Sequence, residues 1–143
     1  MTKSLDVLTL GSVVVLIALV VSGIAPFDRT TWWMEVAPVL IGFPVLWLMR
    51  RGRNYFEFTR LVYVLICVHA LVLILGGAYS YARVPLGFWM QDIFDLTRNP
   101  YDKIGHFMQG FVPAMVAREL MLRHKWVNGG RVASFVGICV ALS

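Results

Sequence analysis

Four side chains in this sequence combine a reactive type with an informative position: Asp102, His106, Gln109 and His69. Asp102 and His106 are four residues apart, so on a helix they stack on one face. A carboxylate one turn before an imidazole can hold its tautomer and raise its basicity. That pair suits a general base, and it equally suits a metal ligand with its orienting partner. Gln109 falls on the same face and offers a hydrogen bond to a substrate. His69 lies inside the run Leu61–Ala82, which has no Asp, Glu, Lys or Arg. An ionisable group in such a run is a functional candidate by default. Three of them have a plainer reading beside the functional one. Asp102 can serve only as a helix cap, His106 only as an interfacial residue, and His69 as a neutral imidazole bonded to a backbone carbonyl. The spacing identifies neither a cofactor nor a metal, and Cys67 and Cys139 sit in apolar runs as packing groups.

The elements that position these residues are membrane spans. The chain has 143 residues, is 59% hydrophobic and 15% charged, with a mean hydropathy of +0.73. Distribution decides the class. Val7–Ala25 carries no charge, and Leu61–Ala82 carries only His69; each is long enough to cross a hydrocarbon core of about 30 Å. The expected fold is an all-α, polytopic transmembrane bundle forming a single domain. Its spans fall at about 6–25, 33–49, 59–79 and 100–123, with an incomplete fifth at 131–143. Val132–Ser143 is too short to cross, so the chain is expected to end inside its fifth helix. A cleavable leader is the rival reading of residues 1–25, but the apolar run is longer than a usual leader core and further spans follow. Pro38 and Pro44 predict kinks in the second span. Trp32 and Trp33 read as interfacial anchors.

Orientation follows from Lys and Arg. Lys3, Arg50, Arg51, Arg53, Arg60, Arg123, Lys125 and Arg131 lie at one set of helix ends; only Arg29, Arg83, Arg98 and Lys103 lie at the other. The N-terminus is therefore expected in the cytoplasm of a bacterial inner membrane. The +5 net charge sits at helix ends, which excludes a nucleic-acid partner; the bilayer is the expected environment. Between spans 3 and 4, Leu86, Trp89, Met90, Ile93 and Phe94 recur at helical spacing. Gln91, Asp92, Asp95 and Arg98 fall mostly opposite, so this segment predicts a short interfacial helix.

The fourth span predicts its own faces. Asn99 fits an N-cap and Pro100 the first helical position. With Asp102 at zero, His106 falls at about 40°, Gln109 at about −20°, Gly110 at about 80°, Pro113 at about 20° and Ala117 at about 60°. Ile104, Phe107, Met108, Phe111, Met115 and Leu122 fall between about 140° and 240°. The bulky side is expected to meet lipid, and the small polar side protein or a water-filled cavity. His69 is expected about 15 Å below the outer surface and His106 about 6 Å, which argues against one shared metal. Glu119 precedes Arg123 by four residues, the favourable order for a helix pair. Glu35 reads as a solvated interfacial acid, and Asp92 and Asp95 as the wet face of the interfacial helix.

Two stretches resemble a known family. His69–Trp89, with Gly76-Gly77, Tyr79, Tyr81 and Pro85, is similar to the YjdF-type bacterial inner-membrane family (domain of unknown function 2238). So is Arg98-Asn-Pro-Tyr101-Asp102-Lys103-Ile-Gly105-His106-Phe107-Met-Gln109-Gly110-Phe111-Val-Pro113-Ala, followed by Arg118-Glu119. The resemblance covers most of residues 60–125. This chain has Ala78 where the family often has histidine, and Ser80 where it often has threonine. The resemblance also implies an acidic, tryptophan-bearing stretch and an aspartate-rich segment beyond Ser143, so this chain would hold part of any active site. Asp102-Lys-x-x-His106-Phe107 is also similar to the start of the VanZ-like membrane family, linked to glycopeptide-antibiotic resistance.

Two functions fit these residues. One is a membrane-embedded enzyme acting on a lipid-linked or cell-envelope substrate at the outer leaflet. The other is a non-enzymatic binding, transport or assembly protein whose polar helix face packs against a partner.

Overall fold

The computed structural model describes residues 2–51, 55–127 and 129–142, the side chains of 2–6, 140 and 141 excepted. Arg53 therefore lies outside the described residues. The described residues are helical, with no strand among them: α1 Thr2–Ile24, α2 Arg29–Arg51, α3 Arg60–Tyr79, α4 Pro85–Ile93, α5 Tyr101–Arg123 and α6 Gly130–Leu142. A single 3-10 turn, Tyr81–Arg83, joins α3 to α4. Among the described residues, three helices are long and apolar enough to cross a membrane: Val7–Ile24, Arg29–Arg51 and Arg60–Tyr79. The long α5 has 23 residues, about 35 Å of helix, but carries charges at both ends. Pro38 and Pro44 lie inside α2, and Pro113 inside α5, without ending either helix.

Helix α3 is the hub. It packs against α1, α2 and α5, whereas α6 packs chiefly on α5. One apolar cluster joins α1, α2 and α3 through Val15, Trp32, Val36, Leu73 and Ile74. A second, built on Leu8, Leu46, Phe58, Val62 and Tyr63, takes in Val116 and Leu120 of α5. Side chains pointing away from these clusters, such as Leu10, Leu16, Val20 and Ile41, are apolar and exposed, as expected for surfaces that face lipid rather than water.

Trp32 departs from the interfacial role expected of it. It is 6% exposed, fits over Gly23, and donates from Nε1 to Ser22 Oγ at 3.0 Å; Trp33 beside it stays exposed. A buried indole needs a partner for its N–H, and Ser22 supplies one that periodicity does not reveal. Asp28 caps α2, accepting the Thr31 N–H at 2.7 Å.

At the arginine-rich end the carboxylates are used structurally. Glu119 accepts from the Thr59 N–H at 2.7 Å and the Thr59 hydroxyl at 2.8 Å, and pairs with Arg123 at 2.9 Å. It thereby ties the start of α3 to α5. Arg50 is buried against Glu57 at 2.9 Å. Arg118 reaches Ser134 on α6 at 3.2 Å, and His124 stacks between Phe56 and Trp126.

Candidate functional site

The candidate site lies at the opposite end of the bundle, where α3 turns into α4 and α5 begins. Ser80 takes a positive φ of 61°, a conformation that few residues other than glycine adopt. It ends α3 and turns the chain so that Tyr81 folds back between helices. The Tyr81 ring occupies a slot made by two glycines. A Cβ on Gly76 would lie 2.5 Å from the ring, and one on Gly105 would overlap it. The Tyr81 hydroxyl donates to Glu35 Oε2 of α2 at 2.7 Å. Three long helices thus meet on one side chain. Burial, then the hydrogen bond to Glu35 and its negative charge, push the Tyr81 phenol well above its ordinary range.

Asn99 pins the next turn. Its Nδ2 donates to the carbonyls of Ala82 at 3.2 Å and Val84 at 3.1 Å, and its Oδ1 accepts the Tyr101 N–H at 2.9 Å. The helix cap itself is Pro100, one residue later than the sequence suggests. Asn99 still satisfies a first-turn N–H, from just outside the helix. Beside it, Ser80, Tyr81, Phe88, Gln91, Arg98 and Asp102 line a cleft of about 590 Å³, within the range of about 300–1,000 Å³ typical of small-molecule sites. The flanking helix α4 leaves Leu86, Trp89 and Ile93 exposed. Asp92 and Asp95 are exposed too.

Asp102 Oδ1 lies 3.5 Å from His106 Nε2. The two stack as their spacing predicts, in a contact loose enough to leave the carboxylate open to the cleft. His106 is 73% exposed and Asp102 48%, and Gln109 one turn further on is exposed as well. His69 does not join them. It is half-buried in α3 against the Met108 backbone of α5, and its Nδ1 is buried with no hydrogen-bond partner. Among the described residues, no group of three or more His, Cys, Asp or Glu is placed to hold a metal ion.

The faces of α5 differ from the expected ones. Its buried residues are Tyr101, Gly105, Met108, Val112 and Glu119, a line beside the polar arc rather than on it. The polar arc is largely open: His106, Gln109 and Pro113 are exposed, while Asp102, Gly110 and Ala117 are intermediate. Phe107 and Phe111 are exposed as expected, but Met108 is buried, and Ile104, Met115 and Leu122 are partly covered. The cause is Gly105. It lies on this line and leaves room for the Tyr81 ring, and Tyr101 on the same line donates to the Val72 carbonyl of α3 at 3.2 Å. Sequence reasoning also missed Glu35 and Tyr81. Their signal was a carboxylate inside an apolar helix and an aromatic residue four positions after the second of two paired glycines.

Comparison with known proteins agrees with this architecture. Residues 7–143 match the family described as Predicted membrane protein (DUF2238). The chain is 45% identical over 145 residues to the Inner membrane protein YjdF of Escherichia coli (strain K12), an alignment that covers all of this chain and 68% of that protein. No solved structure matches. The chain is a membrane protein and belongs to the DUF2238 family.

Proposed function

We propose that this protein holds the polar part of a lipid-linked or cell-envelope substrate in the cleft at the outer leaflet, and acts on it through Asp102 and His106. The carrying observation is the double position of Asp102, which lines the cleft and also touches His106 at 3.5 Å. In this reading Asp102 orients the imidazole. His106 accepts a proton from a substrate hydroxyl or a water. Gln109 donates a hydrogen bond one turn deeper. His69 lies outside the cleft lining and remains a separate, buried candidate in α3. The exposed apolar residues of α4 support a site at the membrane interface.

The same reading carries a topology. We take α1, α2, α3 and α5 as four spans and α6 as part of a fifth, in a bacterial inner membrane, with the N-terminus cytoplasmic by the distribution of Lys and Arg. The relative named as an inner membrane protein supports the compartment. Labelling of single-cysteine variants tests the orientation: Arg51→Cys should react with an impermeant maleimide only after the membrane is opened, and reaction in intact cells would reverse it.

The chemistry is tested by a double-mutant cycle on envelope-stress resistance, with membrane abundance measured alongside. Asp102→Asn and His106→Gln should each lose function, and the double variant should lose little more than either alone. Full function of the double variant at normal abundance would end the acid–base reading. One observation favours the non-enzymatic alternative: the arc His106–Gln109–Pro113 is uncovered, as a docking face would be. Crosslinking from Gln109→Cys to a partner helix in native membranes, with the cycle silent, would select it.

A further inference from the structure

The cleft presents two opposite charges that do not meet. Arg98 and Asp102 both line it. Yet the ion pair of Asp102 among the described residues is with His106, and Arg98 has none. The chain between them is held by Asn99, whose amide is spent on Ala82, Val84 and Tyr101, and by Pro100 with its fixed φ. The two side chains therefore remain on either side of a pinned turn, facing one space. The wall behind Asp102 is electronegative as well. Tyr81 lines the cleft with its hydroxyl committed to Glu35, so a second carboxylate stands behind the ring. Of the other cations near this turn, Lys103 is exposed on α5 next to Asp102 and does not line the cleft, and Arg83 is drawn away over the Phe27 ring at 4.1 Å. The Ser80 hydroxyl and the Gln91 amide complete the lining.

We propose that the cleft is a binding site for an amine–phosphate zwitterion, the phosphoethanolamine headgroup of a membrane lipid, with Arg98 taking the phosphate and Asp102 the ammonium.

This deepens the preceding reading, on which it rests for the site at the outer leaflet. A guanidinium binds phosphate oxygens through a planar fork of donors. A primary ammonium has three N–H donors for Asp102 and Ser80. Other headgroups fit less well. A purely anionic one sets a second negative group against Asp102 and Glu35. A quaternary ammonium has no N–H to give a carboxylate. The membrane is the source because α4, which forms one wall through Phe88 and Gln91, leaves Leu86, Trp89 and Ile93 exposed beside the opening. Acyl chains would lie along that surface while the headgroup enters.

The test is titration of the purified full-length protein in mild detergent with short-chain phosphatidylethanolamine, phosphatidylglycerol and phosphatidylcholine, and separately with soluble O-phosphoethanolamine. Phosphatidylethanolamine should bind at least about tenfold more tightly than the other two lipids, the worth of one charge-assisted hydrogen bond. Asp102→Asn should erase that preference while leaving phosphatidylglycerol binding intact. Arg98→Gln should weaken both lipids alike, and Arg98→Lys should restore most of the loss. Both positions are at the surface, and an unchanged unfolding midpoint checks the fold; should Asp102→Asn be unstable, Asp102→Ser serves. Equal binding of phosphatidylglycerol, or a preference that survives loss of the Asp102 charge, overturns the zwitterion site. Equal binding of O-phosphoethanolamine and the lipid overturns the membrane source. The acid–base reading fails separately. An additive Asp102/His106 cycle with the lipid preference intact removes it and keeps the binding site, while a non-additive cycle with no lipid preference does the reverse.

Discussion

Gly105→Ala is the sharpest probe of how the site end is assembled. A Cβ at this position overlaps the Tyr81 ring, which on its other side already faces Gly76 at 2.5 Å from where a Cβ would lie. The ring has little freedom to withdraw, because its hydroxyl is held by Glu35 at 2.7 Å. Inserting one methyl into a filled slot costs about 1–3 kcal/mol. Expelling the ring instead forfeits a hydrogen bond to a charged acceptor, worth about 1.5–3 kcal/mol. Whichever route is cheaper sets the loss, so about 1–3 kcal/mol is expected, a change of about 5- to 140-fold in the unfolding constant. Titrating purified protein from mild detergent into SDS, with helicity as the signal, measures it. The cause is isolated by repeating the change without the ring. In a Tyr81→Ala background, Gly105→Ala should be neutral or stabilise by up to about 1 kcal/mol, since alanine is the better helix former. In a Tyr81→Phe background the ring remains, and the cost should persist. An equal cost with and without the ring would refute the slot, and a silent Gly105→Ala in the native background would mean that Tyr81 does not hold α5 against α3.

Glu119→Ala should destabilise by about 2–3 kcal/mol, because it strands the Thr59 N–H and hydroxyl at the start of α3; chemical unfolding checks it, and Glu119→Gln should recover part. Arg50→Met should cost about 3–5 kcal/mol by leaving Glu57 without its cation, and adding Glu57→Leu should return much of that; an additive pair would contradict a shared buried bridge. Hydrogen bonds from the Thr31 side chain and backbone hold the Asp28 carboxyl below its ordinary value. A depressed carboxyl stabilises the fold above the unfolded pKa and loses that contribution as pH falls through the folded pKa. Thermal midpoints of the native chain and Asp28→Ala should thus differ at neutral pH and converge below about pH 4. Phe111→Leu should be nearly silent in the same assay, since Phe111 is an exposed ring stacked on Phe107.

Much of the architecture was legible because it is local. An apolar run without charges commits a segment to a membrane helix, and α1, α2 and α3 lie where Val7–Ala25, the Trp33–Met49 stretch and Leu61–Tyr79 predict. Spacing within one helix is equally local. Asp102 with His106, and Glu119 with Arg123, face each other because residues four apart always do. The apolar stripe of Leu86, Trp89 and Ile93 likewise fixes α4 as an amphipathic helix. The rotation of α5 about its own axis is not local. Its polar and apolar arcs are written in the sequence, but the flank that meets α3 depends on Tyr81 entering over Gly105 from a turn some twenty residues earlier. Glu35 changes from a solvated acid to the partner of Tyr81 for the same reason: the residue that satisfies it arrives from the far end of another helix. Asn99, which lines the cleft, ties two turns that are far apart in sequence. Helical periodicity determined which side chains share a face, and only the packing of three helices around one aromatic ring decided which faces close and which stay open.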